Sequence, residues 1–339
     1  MQKGAVRSFR WTETILGAGG LALLVWMCAE VGFRNILDHL AGLGWGPALF
    51  LILLYGLFQT FFCAAWHVLL KDRSSASFYD LFVAYTAGDA INMSVPSANL
   101  AGEPVKVMLL NGKVPRETAV SSVTIYKFSD ILSLTLFMLI GWLVQIMVNP
   151  MPLIWNISAG VVIGGMAGMC VFLYYIQNRG LYGPLAQKLT RWGLGRFVEK
   201  IGSTEMVDRQ VSDFYKNNPR QFAMSLFYNF LAWFGGVLEI MIFTRMTGHP
   251  CTFSAAFTIE TFSMFVNNVA FFIPGRLGVG EGGRMIFFHS LGFPTAVGLS
   301  YGIIRRIREL AWISVGVAIL LFRKKSDETI ASADPYKSS

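Results

Sequence analysis

The chain of 339 residues has a formal net charge of +8, yet only 14% of it is charged and 54% is hydrophobic, with a mean hydropathy of +0.52. Those proportions exclude a soluble two-domain enzyme and a disordered chain, and point to a multi-pass membrane protein. The cysteines (28, 63, 170, 251) and histidines (39, 67, 249, 289) are dispersed without ligand or pairing spacing, so no metal, cofactor or disulfide framework is expected.

In chain order, the basic start MQKGAVRSFR leads into an apolar run at 12–33 without a small-residue cleavage site, which reads as a retained first helix. Further runs long enough to span lie at 46–70, 117–148, 152–177, 221–247 and 295–322. Between them, 77–112 and 252–291 are too broken by Gly and Pro to be single spans, and each reads as a re-entrant helical hairpin. The stretch 178–220 is basic, with an apolar stripe at Val207, Val211 and Phe214. It reads either as a cytoplasmic amphipathic helix on the membrane surface or as a solvated connector. The tail 323–339 reads as disordered. The expected organisation is therefore a first membrane half (1–177), a linker (178–220), a second half (221–322) and the tail. Basic loops place both termini in the cytoplasm of a cell (inner) membrane protein.

The two broken stretches echo each other. VPSANLAGEPVK and IPGRLGVGEGGR align Pro96, Gly102, Glu103 and Lys106 with Pro274, Gly280, Glu281 and Arg284. Further on, Lys127 and Asp130 correspond to Arg306 and Glu309, each pair three apart in an apolar helix. Parity of the spans makes the two repeats inverted, and Lys127 and Arg306 both fall about 15 to 17 Å deep, near the middle of the bilayer. The fold class expected is all-α, with about six transmembrane helices and two re-entrant hairpins in inverted repeats.

Charges at that depth carry the functional reading. Lys127, Asp130, Arg305, Arg306, Arg308 and Glu309 facing lipid would together cost on the order of 15 kcal/mol. They must face one another or a wet cavity. Spacing allows Arg305–Glu309 and Lys127–Asp130 pairs, and Ser122, Tyr126, Ser129 and Ser133 form a polar stripe suited to a cavity wall. Three bases for one acid in the last helix leave positive charge over. That surplus predicts an anion site, most simply for a lipid phosphate, at Arg305, Arg306 and Arg308 with Arg276, Arg284 and Lys106. Gly275, Gly278 and Gly280 would let backbone approach the ligand. The competing reading is a structural salt-bridge network that locks the bundle. Glu103 and Glu281 either pair with Lys106 and Arg284 to shape the hairpins or take up protons, and with Lys127, Asp130 and Glu309 they are the gating or coupling candidates. Glu239 and Glu260 receive no role.

At these motifs the chain resembles the transmembrane flippase-like domain of lysylphosphatidylglycerol synthases and their stand-alone relatives, from Thr12 to Phe322. PSANLAGEPVK, the Lys127–Asp130 helix and PGRLGVGEGG carry the likeness. Arg276 stands where that family's pattern commonly has Gly, and Gly280 where it often has a base. The resemblance implies movement between leaflets of aminoacylated or plain anionic phospholipids, polyprenyl-linked sugars or hopanoids. It also implies a member without the aminoacyl-transferase domain, since 17 residues follow Phe322. The leading expectation is a non-enzymatic lipid translocator. A membrane enzyme acting on a lipid phosphate or lipid-linked sugar is the first alternative, although no Asp-x-Asp or metal-ligand spacing supports it. A scaffold of a lipid or hopanoid synthesis complex is the second. The expected partners are a membrane lipid, a possible second copy and a possible lipid-synthesis enzyme, with no nucleic acid.

Overall fold

The computed structural model describes residues 42–70, 75–95, 97, 99–148, 151–191, 203–270, 273 and 278–332. The first apolar run (12–33) therefore lies outside the described residues, as do Pro96, Pro274, Gly275, Arg276, part of the linker and 333–339 of the tail; 323–332, expected to be disordered, instead continue the last helix. Among the described residues there are eleven helices and no strand. They are α1 (Trp45–Leu70), α2 (Phe78–Ser94), α3 (Glu103–Leu109), α4 (Arg116–Val148), α5 (Leu153–Arg179), α6 (Tyr182–Arg191), α7 (Thr204–Asn217), α8 (Pro219–Met246), α9 (Phe253–Val269), α10 (Val279–Ser290) and α11 (Thr295–Ser332).

Four of them, α1, α4, α5 and α8, are long and apolar enough to cross a membrane. Of the other expected spans, α11 has the length, at 38 residues, but carries Arg305, Arg306, Arg308 and Glu309 in its first half. The protein is an all-α polytopic membrane protein.

The element order repeats: a long helix, a 17-residue helix, a short helix and a long helix occur as α1–α4 and again as α8–α11. Both 17-residue arms start alike. Ser77 caps α2 by accepting from the Asp80 N–H, and Thr252 caps α9 by accepting from the Ala255 N–H. Each arm is then broken from a shorter partner, α3 or α10, which packs back against it.

The halves are interlocked. Arm α2 packs chiefly on α11 of the other half and arm α9 on α4, while α1 and α8 form the most extensive helix pair. The crossings are tight enough to need small residues. A Cβ on Gly316 of α11 would lie 2.4 Å from Ala90 Cβ of α2, and one on Gly141 of α4 would lie 1.9 Å from Thr261 Oγ1 of α9.

Two expectations change here. The stripe Val207, Val211 and Phe214 is buried in the protein core, with α7 packed on α4 and α5, so those side chains do not meet lipid. The linker is further strapped down by Asp208, whose carboxylate accepts from the Leu181, Tyr182 and Gly183 N–H groups at 2.8 Å each and so caps α6. The serine stripe of α4 is likewise taken up between helices. Ser122 Oγ accepts from Trp66 Nε1, and Ser129 Oγ meets Ser225 Oγ and Asn229 Nδ2. It ties α4 to α1 and α8.

Candidate functional site

The site builds up from the two breaks. In the first half Gly102 presses against the arm: a Cβ there would lie 1.9 Å from Gly88 O. Asn92 bridges the break, its Oδ1 accepting from the Gly102 N–H at 2.7 Å and its Nδ2 donating to Glu103 Oε1 at 3.2 Å. Glu103 then takes Lys106 at 3.1 Å and, from α4, Lys127 at 3.9 Å; Lys127 also holds Asp130 at 3.1 Å. The Lys106 ammonium lies over the rings of Tyr85 and Tyr126, at 4.7 and 5.0 Å.

In the second half Gly278 begins α10 with φ +76°, a conformation costly for any residue with a Cβ, and its N–H donates to Glu281 Oε2 at 2.8 Å. Glu281 Oε1 takes Arg306 of α11 at 2.9 Å, and Arg306 holds Glu309 at 2.7 Å. The sequence repeat thus persists as an ionic one, since hairpin Glu, long-helix base and an acid three residues later line up as Glu103–Lys127–Asp130 and Glu281–Arg306–Glu309. Lys127 and Arg306 each stand eleven residues into their helices, counted from Arg116 and Thr295, or about 16 Å along the axis.

The halves differ in their fourth member. Lys106 pairs with Glu103 as expected, whereas Arg284 does not pair with Glu281. Arg284 is buried, its Nε has no hydrogen-bond partner, and among the described residues it makes no ion pair. Asn267, Arg284 and Arg306 converge on Gly280: a Cβ there would find Arg284 Nη1 at 3.4 Å, Asn267 Oδ1 at 3.8 Å and Arg306 Nη2 at 3.9 Å.

The expected surplus of positive charge on the last helix is not there. Arg305 pairs with Glu260 of α9 at 2.6 Å through a two-pronged contact, and not with Glu309. Arg308 pairs with Glu239 of α8 and lies over the Tyr55 ring at 4.1 Å. Glu239 and Glu260, given no role from sequence, are fully buried counter-ions. They sit on other helices, so spacing within one helix could not find them; their isolation in apolar runs was the only signal. Asp89, on α2, was missed altogether. Within the two halves the described buried or half-buried bases are Lys106, Lys127, Arg284, Arg305, Arg306 and Arg308. The acids are Asp80, Asp89, Glu103, Glu117, Asp130, Glu239, Glu260, Glu281 and Glu309; Asp80 and Glu117 lie in the first turns of α2 and α4, which leaves seven deeper in the helices against the six bases. Among the described residues no group of acids, cysteines and histidines is arranged to hold a metal.

The sequence profile of the family described as "Lysylphosphatidylglycerol synthase TM region" matches residues 13–317, which takes in both ionic triads and all of the described helices up to the upper part of α11. The chain belongs to this family. None of the curated proteins and none of the solved structures compared matches it. For a lysylphosphatidylglycerol synthase TM region, the family name points to a membrane function related to lipids.

Proposed function

We propose that the chain is a lipid translocator, in which an anionic headgroup passes between the two broken helix pairs while its tails stay in the bilayer. The observation that carries this is Arg284: a buried guanidinium with no carboxylate partner among the described residues, set beside Asn267 and Arg306 at the start of a half-helix. Arginine suits a phosphate there because its planar fork donates in pairs and its charge is permanent. The dipole of α10 adds to the attraction.

Lys106, Arg305, Arg306 and Arg308 hold internal carboxylates and act by shaping the site, with Arg276 a further candidate for the headgroup. The two hairpins enter from opposite faces of the cell (inner) membrane, the linker and both termini lie in the cytoplasm, and rocking of one half against the other exposes the headgroup to each leaflet in turn. This reading assigns the chain transport and no catalysis of its own.

The test is leaflet exchange in proteoliposomes with a panel of labelled anionic, zwitterionic and polyprenyl lipids, comparing wild type with Arg284→Gln and Arg284→Lys. Exchange of an anionic class by wild type, reduced about 100-fold or more in Arg284→Gln at equal reconstitution and partly kept in Arg284→Lys, is the expected result. Unimpaired exchange in Arg284→Gln removes the proposed anchor. A chemically altered lipid in the mass spectrum would indicate an enzyme, and no exchange of any class a scaffold.

A further inference from the structure

The ionic network leaves one acid out. Among the described residues Glu103, Asp130, Glu239, Glu260, Glu281 and Glu309 each have a cation at salt-bridge distance. Asp89 has none. It sits on α2 one turn before Asn92, half-buried, and its Oδ2 accepts a hydrogen bond from Gln59 Nε2 of α1 at 3.3 Å. Gln59 Oε1 and, one turn back along α2, Thr86 Oγ1 are buried without hydrogen-bond partners.

Charged and titratable groups surround Asp89 from every helix near α2. They are Tyr55 of α1, Tyr85 of α2 itself, Glu103 and Lys106 of α3, Tyr126, Lys127 and Asp130 of α4, and Arg308 of α11, with Glu309 acting on Tyr55 and Arg308. The bases of that set already hold carboxylates: Lys106 holds Glu103, Lys127 holds Asp130 and Arg308 holds Glu239. A carboxylate at this depth with no counter-ion of its own is costly as an anion, and adding a proton removes the charge.

We infer that Asp89 is a proton-binding site through which lipid movement is coupled to the proton gradient, an inference that rests on the translocator reading above. One proton adds to a carboxylate oxygen when the site faces one side and leaves from the same oxygen when it faces the other; no other bond changes. The coupling follows from the charge count. With Asp89 ionised, the deeper described acids outnumber the described bases by seven to six, and its charge opposes an anionic headgroup. Protonating Asp89 removes one negative charge from the surroundings of the site, so the same headgroup binds more tightly. By linkage, the bound headgroup then tightens the hold on the proton by the same factor. The second half has no counterpart, since the equivalent position along α9 is Met264.

Two measurements on the full-length protein test this. Infrared difference spectra on acidification from about pH 8 to about pH 5 should show a protonated-carboxyl C=O band in wild type, retained in Asp89→Glu and missing in Asp89→Asn. In proteoliposomes, exchange of labelled phosphatidylglycerol should rise about tenfold between the same limits in wild type. In Asp89→Asn, whose amide mimics the protonated acid, it should stay at the acid-side rate throughout. A band that persists in Asp89→Asn overturns the inference. So does a pH response that survives the substitution, or a sodium gradient that replaces the proton gradient. If wild type moves no lipid at either pH the translocator reading fails, and the infrared band alone decides the proton site.

Discussion

Glu260 shows how a residue is assigned by what it touches. It is fully buried, its carboxylate meets the Arg305 guanidinium through both oxygens, and a Cβ on Gly236 of α8 would lie 2.2 Å from Glu260 Oε1. Removing one partner of such a pair leaves a buried charge alone, whereas replacing both with apolar residues removes the problem. Glu260→Gln should therefore destabilise the protein by about 3 to 5 kcal/mol, and Glu260→Leu combined with Arg305→Met should recover most of the loss. Thermal unfolding in detergent, followed by tryptophan fluorescence, reads both. An additive double variant would mean that the pair is not the source of the effect.

At the scale of elements, the broken arms depend on contacts that cannot be made with a larger residue. Gly102→Ala places a methyl 1.9 Å from Gly88 O and should disrupt the first hairpin, whereas Gly164→Ala on α5, where a Cβ would meet nothing within 4 Å, should be neutral or slightly stabilising. Yield of monodisperse protein after size exclusion separates the two. The outer end of the same hairpin is closed by Asp80, which accepts from the Ser77 N–H and hydroxyl and pairs with Lys113. The Lys113 ammonium beside it, helped by Ser77, holds the Asp80 carboxyl below its ordinary value. A lowered folded-state value means that the stabilisation is complete above the unfolded value of about 3.9 and is lost as the pH falls through the folded one. Hydrogen exchange should show the first turn of α2 opening only below about pH 4. Asp80→Asn should remove that step and cost about 1 kcal/mol at neutral pH.

For the whole molecule, the interlocking of α2 on α11 and α9 on α4 means that neither half has its own closed core. Motion of one half must slide these crossings, where Gly141 and Gly316 keep the backbones close. The proposed inverted topology has a direct test in exposed loops. With the native cysteines replaced, Lys113→Cys should be labelled by an impermeant maleimide only from the cytoplasmic side and His249→Cys only from the outside. Labelling of both from one side would exclude inverted hairpins.

The sequence by itself determined the membrane class, the family, the two broken arms and the repeat, because each is written in local terms: run length, Gly and Pro positions, and the spacing of Glu and bases within one segment. It also gave Lys127–Asp130 and Lys106–Glu103, since both pairs lie three apart on a helix. Tertiary structure alone decided which acid meets which base elsewhere. Arg305 faces Glu260 and Arg308 faces Glu239 across 45 and 69 residues of chain, and Glu281 turns to Arg306 instead of its near neighbour Arg284. The stripe of α7 went to protein and not to lipid for the same reason. An apolar face is specified by sequence, but the surface that covers it is chosen by helix crossings, and those same crossings leave Arg284 and Asp89 without an ionic partner among the described residues.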